Sequence, residues 1–255
     1  MMRPDVIELR KFYHTRLGVT VRKALVRKIR RLWPDLSNFR LLGLGYATPY
    51  LFPFRSETER TIALMPAQQG VIHWPHDGAG LVGLSEEDML PLPDASIDRI
   101  LLVHGLENTR EVDNMLQEIW RVLTNSGKLI VVVPARRSMW SRMEKTPFGH
   151  GYPYSDRQLR RILRDNMFTF SDVQGALYFP PSGARLNLRF ANFLERIGEK
   201  WWPQFGGVRL IEAEKQIFAI PEEPVQKKKR RPVIAPAARP IGASHQSTKR
   251  RIIDD

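Results

Sequence analysis

Three groups of residues in this chain have the types and spacing to do chemistry. The first is Gly43-Leu44-Gly45-Tyr46-Ala47-Thr48-Pro49, which follows the apolar run Phe39 to Leu42 and reads as a strand entering a glycine turn. Such a turn brings backbone close to a nucleotide-type ligand where larger side chains would obstruct it. The second is an acidic turn, Glu86-Glu87-Asp88-Met89, whose carboxylates can accept hydrogen bonds from an amino group. The third is the loop that opens with Arg136-Arg137-Ser138-Met139-Trp140 and runs to Phe148-Gly149-His150-Gly151-Tyr152-Pro153-Tyr154. Loops this long are uncommon unless they serve a purpose. Arg136, Trp140, His150, Tyr152 and Tyr154 form a mixture suited to an acceptor pocket, with Arg136 and Arg137 pointing to an anionic acceptor. His150 is the candidate general base, since an imidazole of pKa about 6.5 suits that task. A further cluster, His73, Trp74 and His76, reads as surface loop: a zinc site made of two histidines lacks a third ligand nearby, and no metal is expected.

Alternating elements must position these groups. Thr61–Met65, Arg99–His104 and Lys128–Val133 read as buried parallel strands, with a helix from Val112 to Leu123 that ends at Asn125-Ser126-Gly127. Ser155 caps a helix reaching about Asp165. Phe168–Leu177 and Val208–Ile220 read as strands flanking a basic amphipathic helix, roughly Leu186–Trp202. The pattern predicts an α/β fold with a doubly wound, mostly parallel sheet. In such sheets ligands sit beyond the carboxyl ends of the strands, which is where His104 falls, with Glu107 and Asn108 one turn on.

The stretch from Glu86 to Pro134 resembles the second half of a class I S-adenosylmethionine-dependent methyltransferase of type 11. The residues that carry the resemblance are the acidic turn, Leu90-Pro91-Leu92-Pro93-Asp94, Ile97-Asp98-Arg99-Ile100, Glu118-Ile119-Trp120-Arg121-Val122-Leu123 and Gly127-Lys128-Leu129. The resemblance extends over about residues 38–220 and implies a seven-stranded Rossmann-like sheet with an antiparallel last strand. It implies S-adenosylmethionine as cofactor, held at Gly43, Gly45, Tyr46, Ala47, Met65, Glu86, Asp88, Met89 and His104. Glu86 is the best match for the acid that meets the adenine amino group, with Asp88 close behind. Two family acids are replaced, by Gly43 before the turn and by Met65-Pro66 at the end of the second strand. Hydrogen bonds to a charged group contribute about 1.5–3 kcal/mol, so losing the second acid weakens binding by roughly 10- to 100-fold unless another group compensates; Gln68 and Gln69 lie just beyond it.

From Leu17 to Trp33, apolar residues recur with a helical period and Arg22, Lys23, Arg27, Arg30 and Arg31 line the other face. Residues 1–37 thus read as a basic amphipathic helix that covers the body's core or lies on a membrane surface, and the resemblance implies that it caps the active site. The domain proper spans 38–221. Residues 222–255, with Lys227-Lys228-Lys229-Arg230-Arg231 and scattered prolines, read as a disordered basic tail. The net charge of +13 resides wholly in residues 1–40 and in that tail. A tail of this kind binds nucleic acid or an anionic surface, or serves only solubility. The absence of cysteine excludes disulfides and thiol chemistry, and no apolar run nears the roughly 18 residues of a transmembrane span. With no secretory signal at the start, a cytoplasmic setting is expected. Two functions follow: a methyltransferase of unknown acceptor, or a non-catalytic protein of the same fold that binds a partner or nucleic acid through its basic ends. A nicotinamide-dependent oxidoreductase is disfavoured by Pro49 and Met65, which stand where its third glycine and its acid belong.

Overall fold

The computed structural model describes residues 3–171, 173–184 and 188–217. The tail, 222–255, and the last part of the expected closing strand lie outside the described residues.

The sheet has the order β3-β2-β1-β4-β5-β8-β6, with β7 also paired to β8. The strands are β1 (Arg40–Gly45), β2 (Arg60–Pro66), β3 (Val82–Ser85), β4 (Ile97–Val103), β5 (Leu123–Pro134), β6 (Phe168–Phe170), β7 (Gln174–Ala176) and β8 (Val208–Lys215). The five from β3 to β5 run parallel, and β8 returns antiparallel to β5 with Lys128 opposite Glu214. The mostly parallel doubly wound sheet with a reversed last strand is therefore what the chain forms.

Period-two alternation sorts the strands onto two cores. In β5, Ile130 and Val132 face one side with α2 (Arg16–Leu32), while Leu129, Val131 and Val133 face the other with α4 (Val112–Val122) and α5 (Asp156–Asp165). Such burial on both faces is why the strand sequences read as continuous apolar runs. α5 begins with a full capping box, Ser155 accepting from the Gln158 amide and the Gln158 side chain reciprocating. A short α3 (Thr48–Leu51) follows β1, and α6 (Ala191–Trp201) packs near β7.

Several expectations need correction. The N-terminal segment is two helices, α1 (Val6–His14) preceding α2. Asp5 caps α1 through the Ile7 and Glu8 amides, and Thr15 both ends α1 and caps α2, accepting from the Gly18 amide. The sheet has eight strands rather than seven, because Phe168–Leu177 divides at Ser171 into β6 and β7. The edge strand β3 is too short and half-exposed to show as an apolar run. Asn125-Ser126-Gly127 lies within β5 rather than in a turn.

Gly18 allows α1 to fold back. A Cβ there would lie 2.1 Å from the Phe12 carbonyl oxygen, a backbone atom that cannot yield without opening the corner. Gly18→Ala is expected to destabilise the chain by about 1–3 kcal/mol, readable as a lower denaturation midpoint at unchanged slope.

Candidate active site

α1 lies across the carboxyl ends of the strands, and its contacts trace that path. At one end Arg3 Nη2 donates to Glu87 Oε1 at 2.6 Å, beyond β3. The Val6 amide donates to the Gln69 carbonyl at 3.0 Å, beyond β2. At the other end Tyr13 stacks on Tyr46 of the glycine turn, centroids 5.7 Å apart, and Phe12 meets Phe148 edge-on after β5. Val6, Leu9, Phe12 and Tyr13 are all buried.

A buried hydrogen-bond chain joins α1 to the end of β4. His104 Nδ1 shares a hydrogen bond with Glu107 Oε1 at 3.2 Å. His104 Nε2 is hydrogen-bonded to the Tyr13 hydroxyl at 2.7 Å, and the Tyr13 and Tyr50 hydroxyls share a hydrogen bond at 2.6 Å. Burial drives the Tyr13 and Tyr50 hydroxyls well above their ordinary pKa and pushes Tyr46 up to about 12, so all three stay protonated at neutral pH. His104 holds φ at 54°, a left-handed conformation that costs a non-glycine residue strain and recurs at functional sites.

Gly45 has φ of 74°, and a Cβ there would strike the Val103 carbonyl oxygen at 2.2 Å. It is thus required for β1 to close on β4, where the Tyr46 amide donates to Val103. Gly43 and Ala47 pack against Leu51 beneath α3, away from the cleft. The cleft bounded by Gly45, Met65, Pro66, Ser85, Glu86 and Glu87 is a cavity of only about 20 Å³. Glu86 lines it with an exposed side chain; Asp88 and Met89 face solvent and do not line it. Of the acidic turn it is Glu87, which the sequence does not single out, that turns toward α1. Burial raises its pKa, opposed by Arg3 and by a hydrogen bond with Thr109.

The long loop does not assemble into one acceptor pocket. Trp140 is 1% exposed, donates Nε1–H to the Phe179 carbonyl at 2.9 Å and packs edge-on against Phe148 and Phe179. Tyr154 is buried with its hydroxyl on the Leu106 carbonyl. Arg136 and Tyr152 are exposed, and His150 Nε2 donates to the Glu144 carbonyl at 2.8 Å. His73, Trp74 and His76 line a separate cavity of about 560 Å³ on the outer side of Tyr46 and Met65. Among the described residues, no group of three His, Asp or Glu could hold a metal, and no helix is long and apolar enough to cross a membrane.

The Glu118–Arg121 motif is a clamp. Arg121 binds both Glu118 oxygens, Asp94, and the carbonyls of Leu90 and Leu92, fixing the connection from β3 to β4. The Arg121 hydrogen bonds outweigh partial burial and hold Glu118 below its usual carboxylate range. A depressed carboxylate stabilises fully above its unfolded pKa of about 4.3 and loses that contribution as pH falls through its folded value. Unfolding free energy is therefore expected to fall more steeply below about pH 4 in the wild type than in Glu118→Gln, measured by denaturant titration at each pH.

Residues 45–131 match the sequence model of the type 11 methyltransferase family, described as a methyltransferase domain. No curated protein matches the chain by sequence. Among solved structures, an S-adenosylmethionine-dependent methyltransferase from Thermotoga maritima is similar at 19% identity and TM-score 0.58, covering 83% of this chain and 96% of that one. One from Archaeoglobus fulgidus gives 20% identity and TM-score 0.52 over 80% and 96%. One from Mesorhizobium loti gives 13% and 0.52 over 74% and 96%. At these identities the likeness is one of fold. The fold is that of the class I methyltransferases, and residues 45–131 match the model of the type 11 methyltransferase domain. S-adenosylmethionine is the cofactor that domain and fold imply.

The polar groups at the cleft suit that cofactor, and α1 contacts residues beside it, Gln69, Tyr46 and His104. Of five buried side-chain polar atoms without a partner among the described residues, four belong to Arg3, Gln69 and Glu107, along the path of α1. Buried groups left unpaired are costly and call for an explanation. Gln69, with neither amide atom satisfied, lies just beyond β2, next to Met65-Pro66. About 20 Å³ is far below the roughly 300–1,000 Å³ of a ligand pocket.

Proposed function

We propose that the chain is an S-adenosylmethionine-dependent methyltransferase whose cofactor cleft is closed by its own first helix. The observation that carries this reading is the buried, unpaired Gln69 amide and Glu107 Oε2, which belong to residues that α1 reaches through Val6 to the Gln69 carbonyl and through Tyr13 and His104 to Glu107. Once α1 lifts, Glu86 and Glu87 would hold the adenine end, Gln69 the ribose in place of the missing acid, and His104 with Glu107 the amino-acid end. Bound there, the cofactor would supply an electrophilic methyl group. This chain's own residues contribute orientation and dryness: Glu107 fixes the His104 ring, and Phe148 walls the end of β4 at 4.7 Å from that ring. The acceptor is unassigned; of the loop residues, Arg136, His150 and Tyr152 remain for contact with it, because Trp140 and Tyr154 serve the core.

Thermal unfolding with S-adenosylmethionine, S-adenosylhomocysteine or NAD tests the reading. A ligand at 100 times its dissociation constant stabilises by about 2.7 kcal/mol, a shift of several degrees. A shift with the first two alone supports the enzyme; none at millimolar ligand defeats it. A second reading, a non-catalytic protein that binds a partner or nucleic acid through its basic ends, is favoured by the seating of α1 itself, and that negative result would bring it forward.

A further inference from the structure

The cavity of about 560 Å³ beside the glycine turn adjoins the cleft across Met65, which lines both, but Arg22, Phe52 and Trp74 line only the cavity. Its walls divide by chemistry. The side given by α1 and α2 carries Arg10 and Arg22, and no carboxylate is among the lining residues. The state of these two arginines sets them apart. Arg3, Arg30 and Arg31 are paired with Glu87, Glu57 and Glu199, and Arg27 donates to Asn192. Arg10 and Arg22 have no hydrogen-bond or ion-pair partner among the described residues, and both face the same cavity. The rest of the lining is mostly aromatic and apolar, with a half-buried Trp74, Phe52 at 67% exposure, and the buried Tyr46 and Met65, beside His14, His73 and His76.

Two unpaired guanidinium groups facing aromatic surface recognise a flat ring that carries an anionic group. Arginine takes phosphate through several donors, and exposed aromatic faces stack on a base. The volume lies in the range that holds a small ligand. We propose that this cavity binds a nucleoside monophosphate unit, its phosphate on Arg10 and Arg22 and its base against Trp74 and Phe52. The site goes beyond the methyl-transfer reading: Met65 borders both spaces, but Arg10, Arg22, Phe52 and Trp74 line this cavity and not the cleft.

Isothermal titration of the full chain with adenosine 5′-monophosphate, adenosine and inorganic phosphate, at low ionic strength and without cofactor, tests the proposal. The monophosphate should bind at least 10-fold more tightly than either fragment. Arg10→Ala with Arg22→Ala should weaken it by roughly 10-fold or more and abolish the preference over adenosine. Trp74→Ala should weaken the monophosphate and adenosine alike. A 5′-phosphorylated oligoadenylate separates the two sources of this chemistry: tighter binding than the monophosphate assigns a strand end, equal or weaker binding a free nucleotide. Monophosphate binding no tighter than adenosine, binding unchanged in the double arginine variant, or no heat at millimolar monophosphate would each overturn the site. Circular dichroism of the double variant, whose arginines are exposed, confirms that it folds.

Discussion

Tyr13→Ala is expected to bind S-adenosylhomocysteine up to about 100-fold more tightly than the wild type while unfolding at a lower temperature. The ring is buried, and its hydroxyl bonds both His104 and Tyr50. Each of those bonds contributes about 0.5–1.5 kcal/mol, and burial of an aromatic side chain about 1.5–3 kcal/mol. Removing them weakens the seating of α1 by roughly 3 kcal/mol. A ligand whose competent state is scarce binds with an affinity reduced by that scarcity, so a population shift of that size returns about two orders of magnitude. Gly18→Ala should act in the same direction from outside the cleft, by forcing the corner between α1 and α2. Titration calorimetry on the three proteins reads the effect. Unchanged or weaker affinity in both variants would mean that α1 is a fixed wall.

The second large effect falls on the loop after β5. Trp140→Ala is expected to cost about 3–5 kcal/mol and to lower the melting temperature by about 10 °C or more. Its indole is wedged between Phe148 and Phe179 and against Gly207, where a Cβ would lie 2.2 Å from the ring. Tyr152→Ala, at a residue 63% exposed, should stay within about 0.5 kcal/mol of wild type. Differential scanning calorimetry of the pair separates a core tryptophan from a surface tyrosine. A small loss for Trp140→Ala would return that side chain to the candidate acceptor residues.

The contrast between these two residues shows how far the sequence can be read. Buried parallel strands declare themselves as runs such as Leu129 to Val133, and α5 through Ser155 and Gln158, because those signals are local. The Glu86 turn is legible from the residues around it, but the choice of Glu87 over Glu86 as the acid turned toward α1 depends on Arg3, 84 residues away. α1 itself is short, with a polar exposed face, and only the caps at Asp5 and Thr15 mark it. The Trp140 loop misleads because Arg, Trp, His and Tyr look alike in a pocket and in a core. Only the partner at Phe179 decides that Trp140 is structural. His73 and Trp74 read as plain loop because the arginines that share their cavity come from helices about 50 to 65 residues earlier.

Under the proposed function α1 and the cofactor compete for one cleft. Hydrogen exchange of the α1 amides, residues 6–14, measured with and without saturating S-adenosylhomocysteine, distinguishes competition from coexistence. Faster exchange across α1 in the bound protein is the predicted result. Bound ligand with α1 exchange unchanged or slowed would show that the helix and the cofactor share the cleft, and would rule out competition between them.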